Sequence, residues 1–284
     1  MMKNPRAFDH AILPVESLAA ARERHEALGF TVAPDAKHPF GTENCCVFFD
    51  DGTYLEPLAI AQREDCERTA LRGNQFTLRD QTYRFRNGEN GFSAIALKSD
   101  DADVDHKHFR AEGISAGRKL SFGRTFTTPD GAKAKASFKL SFAADLRAPD
   151  IFGFTVQRLQ MPVAGASGLT EHQNAVVGIR EVVLCETNPT DFQYFLQELT
   201  GQRETEAHSF GMELRLGELT LNVMTPEGLR AHFGVEPTVM GRGLRLEGLI
   251  FNGGAPEGLR SHGPYKIADR APGQGAFYAF MEER

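Results

Sequence analysis

One order of elements, strand-helix-strand-strand-strand, recurs along the chain. Such a repeat limits the possible folds more than any single motif, because each copy must bury its apolar face against a neighbour. In the first copy Phe8 to Val15 alternates as a strand, and Ala19 to Leu28 is a run of strong helix formers closed by Gly29 at the C′ position. Phe30-Thr31-Val32 reads as a short strand, and Cys45–Phe49 with Thr53–Ile60 as a hairpin about Asp50-Asp51-Gly52. The second copy runs through a strand at Phe92–Lys98, a helix at Asp101–Glu112 closed by Gly113, and strands at Ile114–Phe122, Ala134–Ala143 and Ile151–Arg158. A hairpin turn is expected inside it at Pro129-Asp130-Gly131.

The third copy opens at Val176–Cys185. Asn188-Pro189 starts a helix through Leu199, Gly201 ends it, and Met212–Leu216 with Glu218–Val223 form the hairpin. After a short helix at Pro226–Phe233 come strands at Leu244–Asn252 and Gly275–Glu282, and the Gly- and Pro-rich stretch between them has no room for a full helix. The fourth copy is therefore abbreviated. Met161–Ser167 reads as a linker, which divides the chain into lobes at 1–162 and 163–284.

A repeat of this kind needs a core, and 41% hydrophobic residues against 25% charged supply one. With 22 Phe and no Trp, aromatic filling of a β-rich core or cup is expected. The net charge of −6 and the scattering of the 32 Lys and Arg argue against a nucleic-acid footprint and for a small-molecule partner. Apolar runs reach about eight residues, against the roughly 18–20 of a membrane span, and Met1–His10 lacks the apolar core of a signal peptide. These features predict a soluble cytoplasmic protein. Cys45, Cys46, Cys66 and Cys185 show no metal-ligand spacing, and Cys45 and Cys46 should point to opposite faces of one strand.

Strand parity picks out a polar pair. His10 shares a face with Ile12, and Glu56 with Tyr54 and Leu58, so both polar groups point among apolar neighbours where they must find partners. Pro57 removes a ladder donor next to Glu56, which predicts an edge strand or a bulge there. His38, on the loop before Thr42 and Asn44, is the first choice for a general acid or base, with Thr42 and Asn44 as neutral hydrogen-bonding groups toward a substrate. Arg124 is placed to clamp a carboxylate or phosphate. His25 reads as lying on a charged helix face.

Asp9-His10-Ala11-Ile12, the Ala-rich helix to Leu28-Gly29-Phe30-Thr31-Val32, His38-Pro39-x-Gly41-Thr42-x-Asn44, Tyr54-Leu55-Glu56 and His172-x-Asn174-Ala175 together resemble the glyoxalase-like group of the vicinal oxygen chelate superfamily. The resemblance covers most of the chain. It implies an α+β fold of repeated βαβββ units whose curled mixed sheets surround a ligand cup. It also implies metal ligands on the first and last strands of each unit. Those positions fall on His10 and Glu56 in the first unit, and on Ser93 and, within one residue, Gln157 in the second. An imidazole, a carboxylate and an amide suit a divalent Zn, Mn, Ni, Co or Fe. The third unit offers Glu181 and Asn222 instead, with no imidazole, so no second metal centre is expected. That lobe is expected to cover the first lobe's open face or to serve as an inactive copy.

Two function classes stay open. One is an enzyme acting on a small α-oxo or hydroxy-carbonyl metabolite, a lyase or isomerase ahead of a dioxygenase, with a divalent metal at His10, Glu56 and Gln157 and with His38 or Glu56 moving a proton. The other is a non-catalytic protein of the bleomycin-resistance type that sequesters a small molecule, His10 and Glu56 then bonding to each other. A monomer or a homodimer fits either.

Overall fold

The computed structural model describes residues 5–127, 133–160, 168–239 and 241–281. The expected linker Met161–Ser167 and the turn Pro129-Asp130-Gly131 lie outside them. The first unit comprises β1 (Phe8–Pro14), α1 (Leu18–Ala27), β2 (Ala36–Lys37), β3 (Thr42–Asn44), β4 (Val47–Phe48) and β5 (Tyr54–Ile60). Ser17 caps α1 by accepting the Ala20 N–H, and Gly29 leaves the helix at φ 79°, a left-handed conformation that glycine adopts without strain. Then come α2 (Arg63–Leu71) and α3 (Gln75–Asn87), which the repeat did not predict, followed by β6 (Ala94–Lys98), α4 (Ala102–Ala111), β7 (Leu120–Thr127), β8 (Lys133–Ala143) and β9 (Phe152–Gln160).

The second half has β10 (Gly178–Cys185), a 3₁₀ turn at Pro189–Phe192, α5 (Gln193–Thr200), β11 (Glu206–His208), β12 (Gly211–Leu216), β13 (Leu219–Met224) and α6 (Pro226–Phe233). Its last unit is β14 (Arg245–Asn252), β15 (Arg260–His262), β16 (Tyr265–Ala268) and β17 (Phe277–Met281), with no helix between β14 and β15. The strand expected at Leu244–Asn252 is β14, and the short hairpin β15–β16 is an addition to the expected order. Phe30–Val32 is not a strand. Phe30 turns instead into a cluster with Phe49, Phe251 and Phe280.

The strands make two curled mixed sheets. One runs β2-β3-β5-β1-β6-β9-β8-β7, with β4 also on β5, and the other β11-β12-β13-β10-β14-β17-β16-β15. Each has its two unit-opening strands antiparallel at the centre, β1 with β6 and β10 with β14, each flanked by the parallel closing strand of its own unit. This is the expected α+β architecture.

The sheets pack through their outer faces. Ala11, Leu13, Ile95 and Leu97 of the first share one core with Val182, Leu184, Leu249 and Phe251 of the second, and α1, α4 and α5 contribute Ala21, Phe109 and Leu196 to it. The second sheet therefore does not cover the first one's open face, as one reading of the repeat had it. That concave face, carrying Ile12, Leu58, Ala94, Ala96 and Phe154, receives Phe76 from α3. The opposite concave face is filled by Leu229 and Phe233 of α6. Cys45 points to the shared core and Cys46 to the first cup, as parity predicts. All four cysteines are free and buried.

His25 departs from expectation. With Leu18 and Ala21 it forms the buried stripe of α1, its Nδ1 against the Ala21 carbonyl (2.7 Å) and its Nε2 against Tyr278 Oη of β17 (2.9 Å). A spacing of three and four residues sets that stripe, whatever the charge of the residues between. His172 and Asn174 are likewise internal ties. His172 receives the Thr31 N–H and faces the Phe48 carbonyl, while Asn174 donates to the Leu28 carbonyl.

Candidate active site in the first cup

The cup encloses a cavity of about 120 Å³ between β1, β5, β7, β8 and β9, lined by His10, His38, Asn44, Cys46, Glu56, Arg124 and Arg158 and by aromatic rings including Phe40, Tyr54, Phe76, Phe122 and Phe154. His10 and Glu56 meet there, as parity predicts, with Nε2 and Oε2 3.2 Å apart. Pro57 neither ends the sheet nor bulges it: β5 is an interior strand, with Leu13 of β1 opposite Pro57. The missing N–H is matched by a gap in the partner, since β3 and β4 pair with β5 in one register but lapse at Cys45-Cys46. Glu56 thus keeps its inward direction.

The bulge lies in β1. Pairing with β6 shifts between Phe8 and His10, which leaves Asp9 as an extra residue and brings its carboxylate beside its neighbour's ring. Asp9 Oδ1 is 2.6 Å from His10 Nδ1, and Arg158 holds both Asp9 oxygens at 2.5 and 2.9 Å. The His10 ring also stacks on Tyr54, centroids 4.3 Å apart. Asp9 and Arg158 are the site residues that sequence reasoning missed.

Electrostatics follow from the enclosure. Burial opposes charge on His10, but the hydrogen bonds and charges of Asp9 and Glu56 outweigh it and raise its pKa, so the charged form is favoured between the two carboxylates. Burial likewise works against the Glu56 carboxylate, yet His10, His38 and the Asn44 amide bring its pKa down to about 2. His38 goes the other way. Burial lowers its pKa to about 4 against the pull of Glu56, and the Arg124 charge adds to the lowering. At neutral pH His38 is a neutral imidazole, its Nε2 3.7 Å from Glu56 Oε1 and its Nδ1 2.9 Å from Thr42 Oγ1.

The remaining predicted residues divide. Asn44 lines the cavity, but its amide donates to Glu56 Oε1 at 2.7 Å. Thr42 is fully buried behind His38 and touches that ring, not the cavity. Arg124 lines the cavity, and its Nε and Nη1 find no hydrogen-bond partner among the described residues. Gln157 is not brought to the site. Phe154, Val156 and Arg158 alternate into the cup, whereas Gln157 faces α4, accepting the Ala102 N–H and donating to the Asp100 carbonyl. Ser93 is buried with an unpartnered hydroxyl and does not line the cavity.

The donor set does not fit a resident cation in the cup. All-protein sites of the expected metals use three or four converging donors. Here His10 Nε2 meets Glu56 Oε2 and His38 Nε2 lies 3.7 Å from Glu56 Oε1, but no three His, Cys, Asp or Glu residues of the cup bring donor atoms within 4.8 Å of one another, and the second unit presents the cation Arg158 where an amide ligand was expected. Among the described residues, the group of three metal-ligating side chains with donor atoms within 4.8 Å of one another is His108, Glu112 and Glu198, between α4 and α5. His108 and Glu112 stand four residues apart on one helix face, a spacing visible in the sequence. There Glu198 is already held by Arg203 and Glu112 by the Tyr194 hydroxyl. The equivalent pair in the second sheet consists of Asn222 donating to Glu181 at 2.8 Å, with burial pushing the Glu181 carboxyl up to about 7.

The glyoxalase-like domain model matches residues 8–200. The chain belongs to this family. Solved structures of the vicinal oxygen chelate fold match across nearly the whole length at low identity. A hypothetical protein from Staphylococcus aureus has a TM-score of 0.69 at 14% identity, covering 97% of this chain and 99% of that one. A mutant of 4-hydroxymandelate synthase from Streptomyces coelicolor has a TM-score of 0.58 at 14% identity, covering 99% and 93%. The Mn(II)-bound glyoxalase from Novosphingobium aromaticivorans has a TM-score of 0.51 at 12% identity, covering 98% and 83%. At these identities the likeness establishes the fold alone. No match was found among curated protein sequences. No helix among the described residues is long and apolar enough to cross a membrane.

Proposed function

We propose that this glyoxalase-like chain is an enzyme that moves a proton α to the carbonyl of a small, anionic α-oxo or hydroxy-carbonyl compound. The observation that carries the reading is the juxtaposition, in one aromatic-lined cavity, of the neutral His38 and Arg124 with its unpaired N–H groups. Arg124 holds the substrate's carboxylate or developing oxyanion. With its proton on Nδ1 donated to Thr42 Oγ1, His38 keeps the Nε2 lone pair for the substrate C–H. An anion on Arg124 cancels one of the charges that lower the His38 pKa, so binding raises the basicity of the ring when it is needed. Glu56, fixed by His10 and Asn44, stabilises the imidazolium that forms. Thr42 and Asn44 are positioning residues in this scheme, acting through His38 and Glu56.

The rival reading, a sequestering protein, draws on the ring of phenylalanines and the absence of a ligand from the second unit. Nuclear magnetic resonance of α-proton exchange in D₂O, over a panel of short 2-oxo acids and α-hydroxy ketones, separates the two. Wild type should exchange at least one member, and His38→Gln should slow that exchange by about 10²–10⁴-fold with binding retained. Binding of panel members by wild type with no exchange in any of them would establish the sequestering protein.

A further inference from the structure

A larger cavity, about 540 Å³, lies away from the cup where α3 and the end of the first sheet meet β14 and the segment after β16. Its volume is within the roughly 300–1,000 Å³ of small-molecule pockets, and it sits between two sheets, where such pockets concentrate. Three guanidinium groups line it, those of Arg86, Arg245 and Arg270, against one carboxylate, that of Asp150. Asp150 is fully engaged: its Oδ1 takes Arg86 Nε at 2.6 Å and Asn87 Nδ2 at 2.9 Å, and its Oδ2 takes Arg245 Nη2 at 3.1 Å. Arg270 is paired with the buried Glu247. With both acids counted, one positive charge remains over, in a chain whose net charge is −6. The Tyr83 hydroxyl, raised by burial to about 12 and so protonated, adds a neutral donor, while Phe92, Leu246 and Pro272 supply apolar wall.

We infer that this cavity binds a small organic oxyanion, a carboxylate or phosphate head group on a short apolar body, held by the arginines at the junction of the two sheets. The arginines come from both halves of the molecule, Arg86 from α3 and Arg245 and Arg270 from the second, so the ligand ties the halves together. Neither the cup nor its proton chemistry is required for this site.

Thermal unfolding and titration calorimetry with phenyl phosphate and with benzoate test it. One of the two should raise the melting temperature by about 3 °C at ten times its dissociation constant. The tighter probe identifies the head group as phosphate or carboxylate. The effect should persist in Arg124→Ala, which removes the anion-binding group of the cup. It should vanish in Ala271→Phe, which fills the cavity, and weaken about tenfold in Arg86→Gln, where Asp150 keeps Arg245 and Asn87 as partners. Arg86 is partly exposed, so Arg86→Gln decides the matter alone if Ala271→Phe does not fold. The inference is overturned if neither probe binds wild type, if binding is unchanged in the cavity variants that fold, or if it disappears in Arg124→Ala.

Discussion

Asp9 organises the cup although its place in the sequence points it the other way. In a regular strand Asp9 and His10 face opposite sides, and only the bulge in β1 lets one carboxylate reach both the His10 ring and Arg158. Parity therefore located His10 and Glu56 and concealed Asp9, just as a one-residue ambiguity on β9 named Gln157 where Arg158 faces inward. The buried arrangement alternates charge: Arg158, Asp9, His10, Glu56. Removing Asp9 leaves two cations facing each other without their shared partner. Asp9→Ala should cost about 3–5 kcal/mol in chemical denaturation, the size expected when one member of a buried ionic network is deleted. Asp9→Asn, which keeps the shape, should cost less and bring the His10 pKa down, visible in a histidine titration by magnetic resonance. A loss below about 1 kcal/mol for the alanine variant would mean that Asp9 does not hold the pair.

At the level of elements, the first three copies of the repeat were legible because each helix is bracketed. Ser17 and Gly29 bound α1, Asp101 and Gly113 bound α4, and Asn188 and Gly201 bound the 3₁₀ turn and α5 together. Helices α2 and α3 were not, because Arg63–Asn87 is dominated by charged and polar residues and buries few side chains, and Gly73 breaks its periodicity. Yet α3 determines the depth of the cup. Phe76 enters it and packs against Phe40 and Phe154. Phe76→Ala should destabilise the protein by about 3–5 kcal/mol, as deletions of buried phenylalanines do, and enlarge the cavity toward bulkier ligands. A shift of ligand preference to longer side chains, read by calorimetry, is the expected companion. If stability falls while the preference stays fixed, α3 packs the core without shaping the site.

At the scale of the whole molecule, the repeat explains why the two halves meet through their outer faces. Each cup is closed by its own helix, α3 or α6, so the remaining apolar surface is the convex side. His25 lies in that layer, fully buried, linking α1 to Tyr278 of the second sheet. Burial lowers its pKa from 6.5 to about 4, which makes the junction sensitive to acid. The folded state keeps His25 neutral while the unfolded chain protonates near 6.5, so its contribution is present above that pH and is lost as pH falls toward 4. Between pH 7 and pH 5 the loss from this one residue is about 2 kcal/mol. His38, lowered to about 4 in the cup, contributes in the same window with the same sign, whereas Glu56, lowered to about 2, acts below pH 4.5. His25→Gln removes the titration of that ring. Its stability, measured by denaturant unfolding at several pH values, should fall by about 2 kcal/mol less than that of wild type from pH 7 to pH 5. His38→Gln should flatten the profile by a similar amount, and the double variant by about the sum, because the two rings lie on opposite faces of the first sheet and share no partner. Glu181, raised to about 7, acts over the same window with the opposite sign, so the wild-type profile alone does not decide. Profiles of both variants that run parallel to wild type would show that neither ring is kept neutral by the fold.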